Sequence, residues 1–558
     1  MKKFKVVENL CTMKAGYWYP IFVKPTLPGD RWKISVSDVI RDMARVAPTY
    51  ASEAVRIAGF YVQNKDLMDD WWKFRTGGFE NNDTTALPYM LHSHARGDVG
   101  FGSLTDMLMT APALTFFTAD SNGVLQPNQQ VGKSVCLVER AYAKIGRDWF
   151  MNQNLENEDE DYPLSTANGD AGEDTITNRK LFKCHWNHDF YTNQVPSQEK
   201  GPQAIIPIGS EAPVVGNGNG LGLTNGTLTG SLLSYHSMGS GGTVGSNYVW
   251  TENAAVGTSS TSSDSRSRHL YPAGSGAGLV TGVSTDAASS GLVAKLSDTT
   301  GIPISVINLA IAGQKVAVKL MRHGSRSVEW LNSMFGVKSS DARLDRSEFL
   351  GCYSTDIVIS PIAQTSSTDG VSPQGNLAGM GFHKAKTPSF KCYCEEDGWI
   401  MILACIRPRT QYCQGMPAYY RYQTRWDFPI PAFAHLDYVP SKNSELKYNG
   451  ITNGDENSDW DSDALVDNQN FGFHPIFQEW RSFPNEVHGE FLSTLRHWHE
   501  ARIFDNQPQL SKEFIQADPT TRQFADENAD AKDNYLCQFA FGVNLSRRLP
   551  AKGTPRYF

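Results

Sequence analysis

The sequence has no marked excess of positive charge, no paired-cysteine motif, no long apolar run and no internal repeat. Lys and Arg number 51 against 59 Asp and Glu, a formal charge of −8. That balance excludes a chain whose main work is to wrap nucleic acid, because such chains are strongly basic, and any contact of that kind must be local. The nine cysteines are odd in number and hold no C-x-x-C pair, so they read as reduced, mostly buried thiols rather than a disulfide framework. The opening MKKFKVVENLCTMKAGYWYP lacks the apolar segment of a signal sequence, and no stretch approaches the roughly 18 apolar residues of a membrane span. The expectation is a protein made and used in solution, with no membrane insertion. A fibre should show repeats or heptads, and none is apparent.

What is present is the punctuation of a β protein. The 558 residues include 48 Gly and 28 Pro in an otherwise globular composition, 40% hydrophobic and 20% charged. In VKPTLPGDRWKISVSDVIRDMARVAP, Trp32, Ile34 and Val36 alternate with Arg31, Lys33, Ser35 and Ser37 between Pro25, Pro28 and Pro48. A period of two between breakers predicts a strand with one buried face. DIVISPIAQT, WIMILACIRPR and NYLCQFAFGV are further strand-like runs. Helical patterning is confined to DLMDDWWKF (66–74), ended by Gly77 and Gly78, to AYAKIGRDWFMNQNLE (141–156), and to 303–336 with a break near Gly324. The largest composition shift lies at 209–301, which holds 18 of the 48 glycines and reads as an elaborated Gly/Ser/Thr-rich surface insertion between 1–208 and 302–558.

Catalytic and metal motifs fail on spacing. VGKSV supplies Gly132, Lys133 and Ser134, but Pro127 stands where a phosphate loop needs its first glycine. His92 with His94, and Cys184 with His185 and His188, have no partner at a zinc spacing. DENSDWDSD (455–463) has Trp460 and Val466 where a calcium loop requires Gly and Glu. The acidic run 156–162, the Arg96-Gly97-Asp98 triplet and HWHE at 497–500 read as ordinary loops. No catalytic residue, metal or cofactor is implied.

The order of several blocks is more specific than any motif. GDRWKISVSDVIRDMARVAP, FYVQNKDLMDDWWKFRTGG, GSLTDML, DFYTNQVPSQEKGPQ, FGVKSSDARLDRSEFLGC, SPIAQTSS, PQGNLAG, TRWDFPIPAFAHL and NLSRRLPAKGTPRYF follow one another along nearly the whole chain. In this order they resemble the major capsid protein of microvirus-family single-stranded DNA bacteriophages, in particular its gokushovirus-like branch. Gln63, Asn64 and Lys65 stand where that family usually has a V-P-N-R turn after Val62. The resemblance implies an all-β fold, an eight-stranded antiparallel jelly roll of the viral capsid type with long loop insertions containing short helices. It also implies a virion protein, assembled in the bacterial cytoplasm into a small T=1 icosahedral shell around circular single-stranded DNA. The partners implied are further copies of the chain, the genome, a small basic DNA-binding protein, scaffold or minor virion proteins, and a host surface receptor. The carbohydrate-binding or carbohydrate-active β protein, suggested by 13 Trp and 21 Tyr, and the receptor-binding fibre are the alternatives.

Within that reading, Trp71 and Trp72 in DDWWKF and Trp426, Phe428 and Phe433 in WDFPIPAF are candidate subunit contacts. Arg547, Arg548, Lys552 and Arg556, with Tyr557 and Phe558, form an acid-free terminal segment suited to unpaired DNA or to a neighbouring subunit. Tyr235, Tyr248, Trp250 and Tyr271 anchor the 209–301 insertion and are the candidates for host attachment.

Overall fold

The computed structural model describes residues 2–50, 53–121, 123–201, 304–324, 326–338, 346–363, 365, 374–434, 437–450, 469–526, 528–530 and 532–549, and six short strands within 202–303. The chain divides into two compact units, residues 1–201 with 316–558, and residues 202–315.

The first unit is built on ten strands in two antiparallel sheets. They are β1 (Lys2–Met13), β2 (Tyr19–Thr26), β3 (Arg31–Asp42), β4 (Glu53–Gln63), β5 (Glu348–Asp356), β6 (Val358–Ala363), β7 (Leu377–Lys386), β8 (Phe390–Tyr393), β9 (Gly398–Pro408) and β10 (Tyr535–Ser546). One sheet runs β1-β10-β3-β7-β6 with β8 also on β3, and the other runs β5-β4-β9-β2. Strands β1 to β4 and β8 to β10 alternate between the sheets, and the first and last of the ten lie side by side, which is the jelly-roll arrangement. The resemblance implies eight strands; here β8 continues the course of β7 along β3, and β6 is an added edge.

Alternation decides which face each strand buries. In β3, Trp32, Ile34, Val36 and Ile40 point inward and meet Phe390, Ile400, Ile402, Phe539 and Phe541 between the sheets. Gly59 on β4 is required there, since a Cβ would come within 2.9 Å of the Phe390 ring. Strand β9 is buried along nearly its whole length because its sheet is covered on both sides. Its Met401, Leu403 and Cys405 face a second core, closed by Trp71, Tyr142 and Ile145. The helices bearing these residues are α1 (Trp71–Thr76) and α2 (Leu137–Ile145).

The helix expectations need adjustment at their ends. Helix α1 begins at Trp71 rather than residue 66, a 3-10 turn occupying Asn64–Asp66, and it stops at Gly77 (φ 80°), whose N–H donates to the Lys73 carbonyl. Helix α2 lies four residues before its expected start and gives way at Gly146 to a wide turn through Phe150; the Phe182 ring occupies the space a Cβ at 146 would need. The 303–336 pattern is two helices, α3 (Ile304–His323) and α4 (Ser327–Phe335), separated at Gly324 with φ 86°. Helix α3 corrects one expectation: by length and composition it is apolar enough to cross a membrane, although Asn308, Gln314 and two lysines interrupt the run.

In the second unit, three antiparallel pairs are nested: Val214–Gly216 with Leu292–Ala294, Leu223–Asn225 with Leu279–Thr281, and Tyr248–Thr251 with His269–Pro272.

One buried charge cluster ties the sheets of the first unit together. Arg45, 1% exposed, donates to Asp42 at the end of β3, to Glu53 at 2.6 Å on β4, and to Glu500 at 3.4 Å in the long loop before β10. Burial pushes the Glu500 carboxyl well up, and the neighbouring Glu53 charge adds to this. Burial also acts on Glu53, but Arg45 outweighs it, with hydrogen bonds adding to its pull, and holds that carboxyl below its ordinary value. Removing the guanidinium strands buried carboxylates, so Arg45→Met is expected to cost about 3–5 kcal/mol. Urea unfolding of the full chain measures it, and a loss below about 1 kcal/mol would show that the cluster does not hold the sheets.

Candidate functional site

The most unusual surface of the first unit is aromatic and lies in the loop between β9 and β10. Tyr419, Tyr420, Trp426, Phe428, Trp480 and Phe483 are each at least 40% exposed. Four of them are joined ring to ring: Tyr422 stacks on Trp480 at 6.4 Å and meets Phe428 edge-on at 5.4 Å, and Tyr419 lies 6.2 Å from Trp480 and 4.6 Å from Tyr420, while Trp426 meets Phe433 instead. The loop is held by polar clamps. Asp427 accepts the amide N–H groups of Gln423 and Thr424 at 2.9 and 2.7 Å, Tyr422 donates to Glu479 at 2.6 Å, and Arg421 pairs with Glu445 at 3.1 Å. Exposed and braced in this way, the aromatic rings are a candidate contact surface.

Glu445 lies beneath this patch. Burial pushes its carboxyl up to about 7, against the Lys442 amide and Arg421, which pull it down. Nearby, Asp189 of the DFYTNQVPSQEKGPQ block accepts Thr410 Oγ1 at 2.6 Å and Tyr412 OH at 2.7 Å, which fastens that block to the strand end after β9. Tyr191, Tyr412, Leu446, Phe471 and Phe514 give these loops a core of their own.

The sequence candidates separate on inspection. Trp426, Phe428 and Phe433 belong to the aromatic loop, with Phe433 half-buried against Trp426 at 6.0 Å. Trp71 is buried inside the subunit and packs on Phe74, whereas its neighbour Trp72 is 46% exposed. Tyr419, Tyr420, Trp480 and Phe483 were not singled out from sequence; PAYYRY and QEWRSF are aromatic-rich, but nothing local says that they converge. Arg547 is engaged within the subunit, forked onto Asp30 at 3.0 and 2.7 Å and donating to the Pro25 carbonyl at 3.1 Å. Arg548 is exposed beside Gly29. Lys552, Arg556, Tyr557, Phe558 and Tyr235 lie outside the described residues. Tyr248, Trp250 and Tyr271 sit in one antiparallel pair whose side chains are not described.

The rejected motifs have structural partners. Gly132–Val135 is a strand paired with Tyr89–His92, and His92 is buried between Asp98 at 2.9 Å and Ser134 at 2.8 Å. Asp98 of the Arg-Gly-Asp triplet is buried and ion-paired with Arg179, so the triplet is not displayed. The HWHE acid is Glu500 of the Arg45 cluster, and His499 bonds to the Phe491 carbonyl at 2.7 Å. DENSDWDSD lies outside the described residues.

Known proteins share this chain over its whole length. The model of the family described as Capsid protein (F protein) matches residues 5–557. The chain is 28% identical over 570 residues to the Capsid protein VP1 of Spiroplasma virus 4, covering 98% of this chain and 93% of the relative. It is 28% identical over 559 residues to the Capsid protein VP1 of Bdellovibrio phage phiMH2K, and 27% over 586 residues to that of Chlamydia phage 1, with the same coverage.

Two outcomes follow from the aromatic loop. Tyr420→Glu with Trp426→Glu places charge on exposed rings, so the unfolding midpoint is expected to stay within about 0.5 kcal/mol of the parent while self-association is lost in sedimentation velocity; unchanged association would remove the patch as a contact. Glu445 has a folded pKa of about 7, above its ordinary 4.5, so its contribution to stability is full below about pH 4.5 and is lost as pH rises through 7. The loss is on the order of 3 kcal/mol, and Glu445→Gln is expected to remove that fall from the difference between urea midpoints at pH 5 and pH 8.

Proposed function

We propose, from the premise that this chain belongs to the capsid protein (F protein) family and is a structural major capsid protein rather than an enzyme, that it assembles with copies of itself into a small closed icosahedral shell around a circular single-stranded DNA genome. Membership over the whole chain displaces the carbohydrate-binding and fibre readings. The observation that carries the proposal is the pairing of that match with an exposed, internally braced aromatic surface. A closed symmetric shell repeats each contact many times, so one apolar patch serves every copy. Because the chain carries a net charge of −8, a separate small basic protein is assigned most of the phosphate neutralisation, with scaffold or minor virion proteins as further partners in the host cytoplasm.

The segment 209–301 is assigned to the outer surface as a protrusion that meets the host cell through a receptor. Its composition supports this, and so does its position in a unit, residues 202–315, separate from the two-sheet unit. In gokushovirus-like relatives an insertion at this place, between the DFYTNQVPSQEKGPQ and FGVKSSDARLDRSEFLGC blocks, forms threefold protrusions, which supports the same assignment by resemblance.

Electron microscopy of the purified protein is expected to give uniform round shells, and extended fibres or persistent monomers would overturn the coat reading. Replacing 215–295 with a short Gly/Ser linker is expected to leave shells intact and abolish adsorption to host cells. Failure of those shells to form would make the segment a brace between subunits instead.

A further inference from the structure

The two sheets differ on their outer sides. The β5-β4-β9-β2 sheet is roofed by α1, α2 and their loops, which form the second core. The outward face of the other sheet carries Arg31, Lys33, Arg41, Lys384, Lys386 and Lys391, all exposed, with Glu8 as its acid. None of the six cations makes an ion pair among the described residues. This is a local reversal of sign on an acidic chain.

Register makes the reversal costly for the subunit alone. Lys391 stands directly opposite Lys33, and Lys384 and Lys386 lie on the adjoining segment of the same course, opposite Val39 and Ser37. Like charges at directly opposed positions destabilise a sheet, and no carboxylate here offsets them. Aromatic rings are interleaved with the cations. Tyr393, opposite Arg31, is 47% exposed with the Arg31 guanidinium 5.4 Å from its ring centre, and Phe382, opposite Arg41, is 40% exposed. At the Arg41 end the face opens into a cleft of about 960 Å³ walled by Leu10, Val39, Phe101, Met109 and Leu536. At the other end Ser546 lies opposite Arg31, and Arg548 follows beside Gly29.

We propose that the outward face of the β1-β10-β3-β7-β6 sheet, with β8, is a binding surface for unpaired nucleic acid, the lysines and arginines taking phosphates and Tyr393 and Phe382 stacking on bases. The proposal deepens the coat reading and rests on it for the identity of the polymer as genome. Charge complementarity selects a polyanion, and the exposed rings among the cations select one with flat bases over an acidic polypeptide, which offers nothing to stack. Sequence preference is not expected, because phosphate contacts and base stacking are alike for every base.

The test uses the full-length chain, a fluorescent oligo-dT probe and a salt titration. Lys33→Gln, Lys384→Gln, Lys386→Gln and Lys391→Gln are combined, with the four matching Lys→Arg changes as the charge-retaining control. Loss of four phosphate contacts is expected to weaken binding roughly tenfold or more near 0.1 M salt and to reduce the slope of log K against log salt by about 3. The Arg control binds as the parent does, and Tyr393→Leu with Phe382→Leu weakens dT binding while leaving the slope in place. The Gln variant, relieved of the Lys33 and Lys391 repulsion, is expected to unfold no more easily than the parent. Unchanged dT affinity and slope would overturn the proposal, as would displacement of dT by polyglutamate at equal charge. It would also fall if the Gln variant did not form shells while the parent does, since the face would then be a subunit contact. If the parent makes no shells yet loses dT binding through these lysines, the surface stands and the coat reading falls.

Discussion

A single guanidinium holds three parts of the coat subunit in register. Arg45 leaves the end of β3, reaches Glu53 at the start of β4 in the opposite sheet, and meets Glu500 in the loop that precedes β10. Backbone bonds converge on the same place: the Arg45 amide donates to the Gly379 carbonyl at 3.0 Å on β7, and Val46 donates to Gln523 at 2.9 Å. Three carboxyls crowd one cation, and burial with the neighbouring Glu53 charge pushes the Glu500 carboxyl well up. The cluster therefore works only with both sheets and the loop in place. Such a buried network adds more to the uniqueness of the arrangement than to its net stability, because desolvation offsets much of the attraction.

With the sheets fixed, the outer surfaces acquire distinct chemistry. One sheet is sealed by helices and loops whose own core includes Trp71 and Tyr142. The other keeps a face on which six cations stand among exposed apolar side chains such as Leu10, Val358 and Met380, while the loop between β9 and β10 presents a braced aromatic patch. A shell subunit needs this division, an apolar surface for its neighbours and a polyanion-compatible surface for its contents, and neither requires a catalytic cleft. Enzyme motifs in the sequence turn out to be structural. The lysine of VGKSV lies over the Tyr89 ring at 3.7 Å, and the Asp98 carboxylate is satisfied by His92 and Arg179.

Period-two alternation made β3 readable because its inward residues are uniformly large and apolar until Asp38, and Gly324 was readable as a helix break because only glycine accepts its backbone angle easily. The family was legible from the order of blocks, a signal no single motif carried. What sequence did not disclose was convergence. Arg31 and Lys33 look like an ordinary solvent face until β7 and β8, about 350 residues later, bring Lys384, Lys386 and Lys391 beside them. Trp71 and Trp72 are adjacent, and only the packing of α1 decides that the first is core and the second exposed. The Phe182 ring that lies against Gly146, where α2 ends, comes from a distant loop and leaves no local signal. Apolar spacing in α3 concealed a helix that passes a membrane-length criterion, since its lysines and amides broke the run to the eye.

The central claim is that one subunit turns an aromatic surface to its neighbours and a cationic sheet to its genome. A cryo-electron microscopy reconstruction of assembled, DNA-filled shells tests it most directly. The account predicts Tyr420, Trp426 and Phe483 packed within a subunit boundary, and the face bearing Lys33, Lys384 and Lys391 on the inner wall in contact with nucleic-acid density. Shells in which the aromatic patch is bathed in solvent and the lysine face looks outward would contradict it.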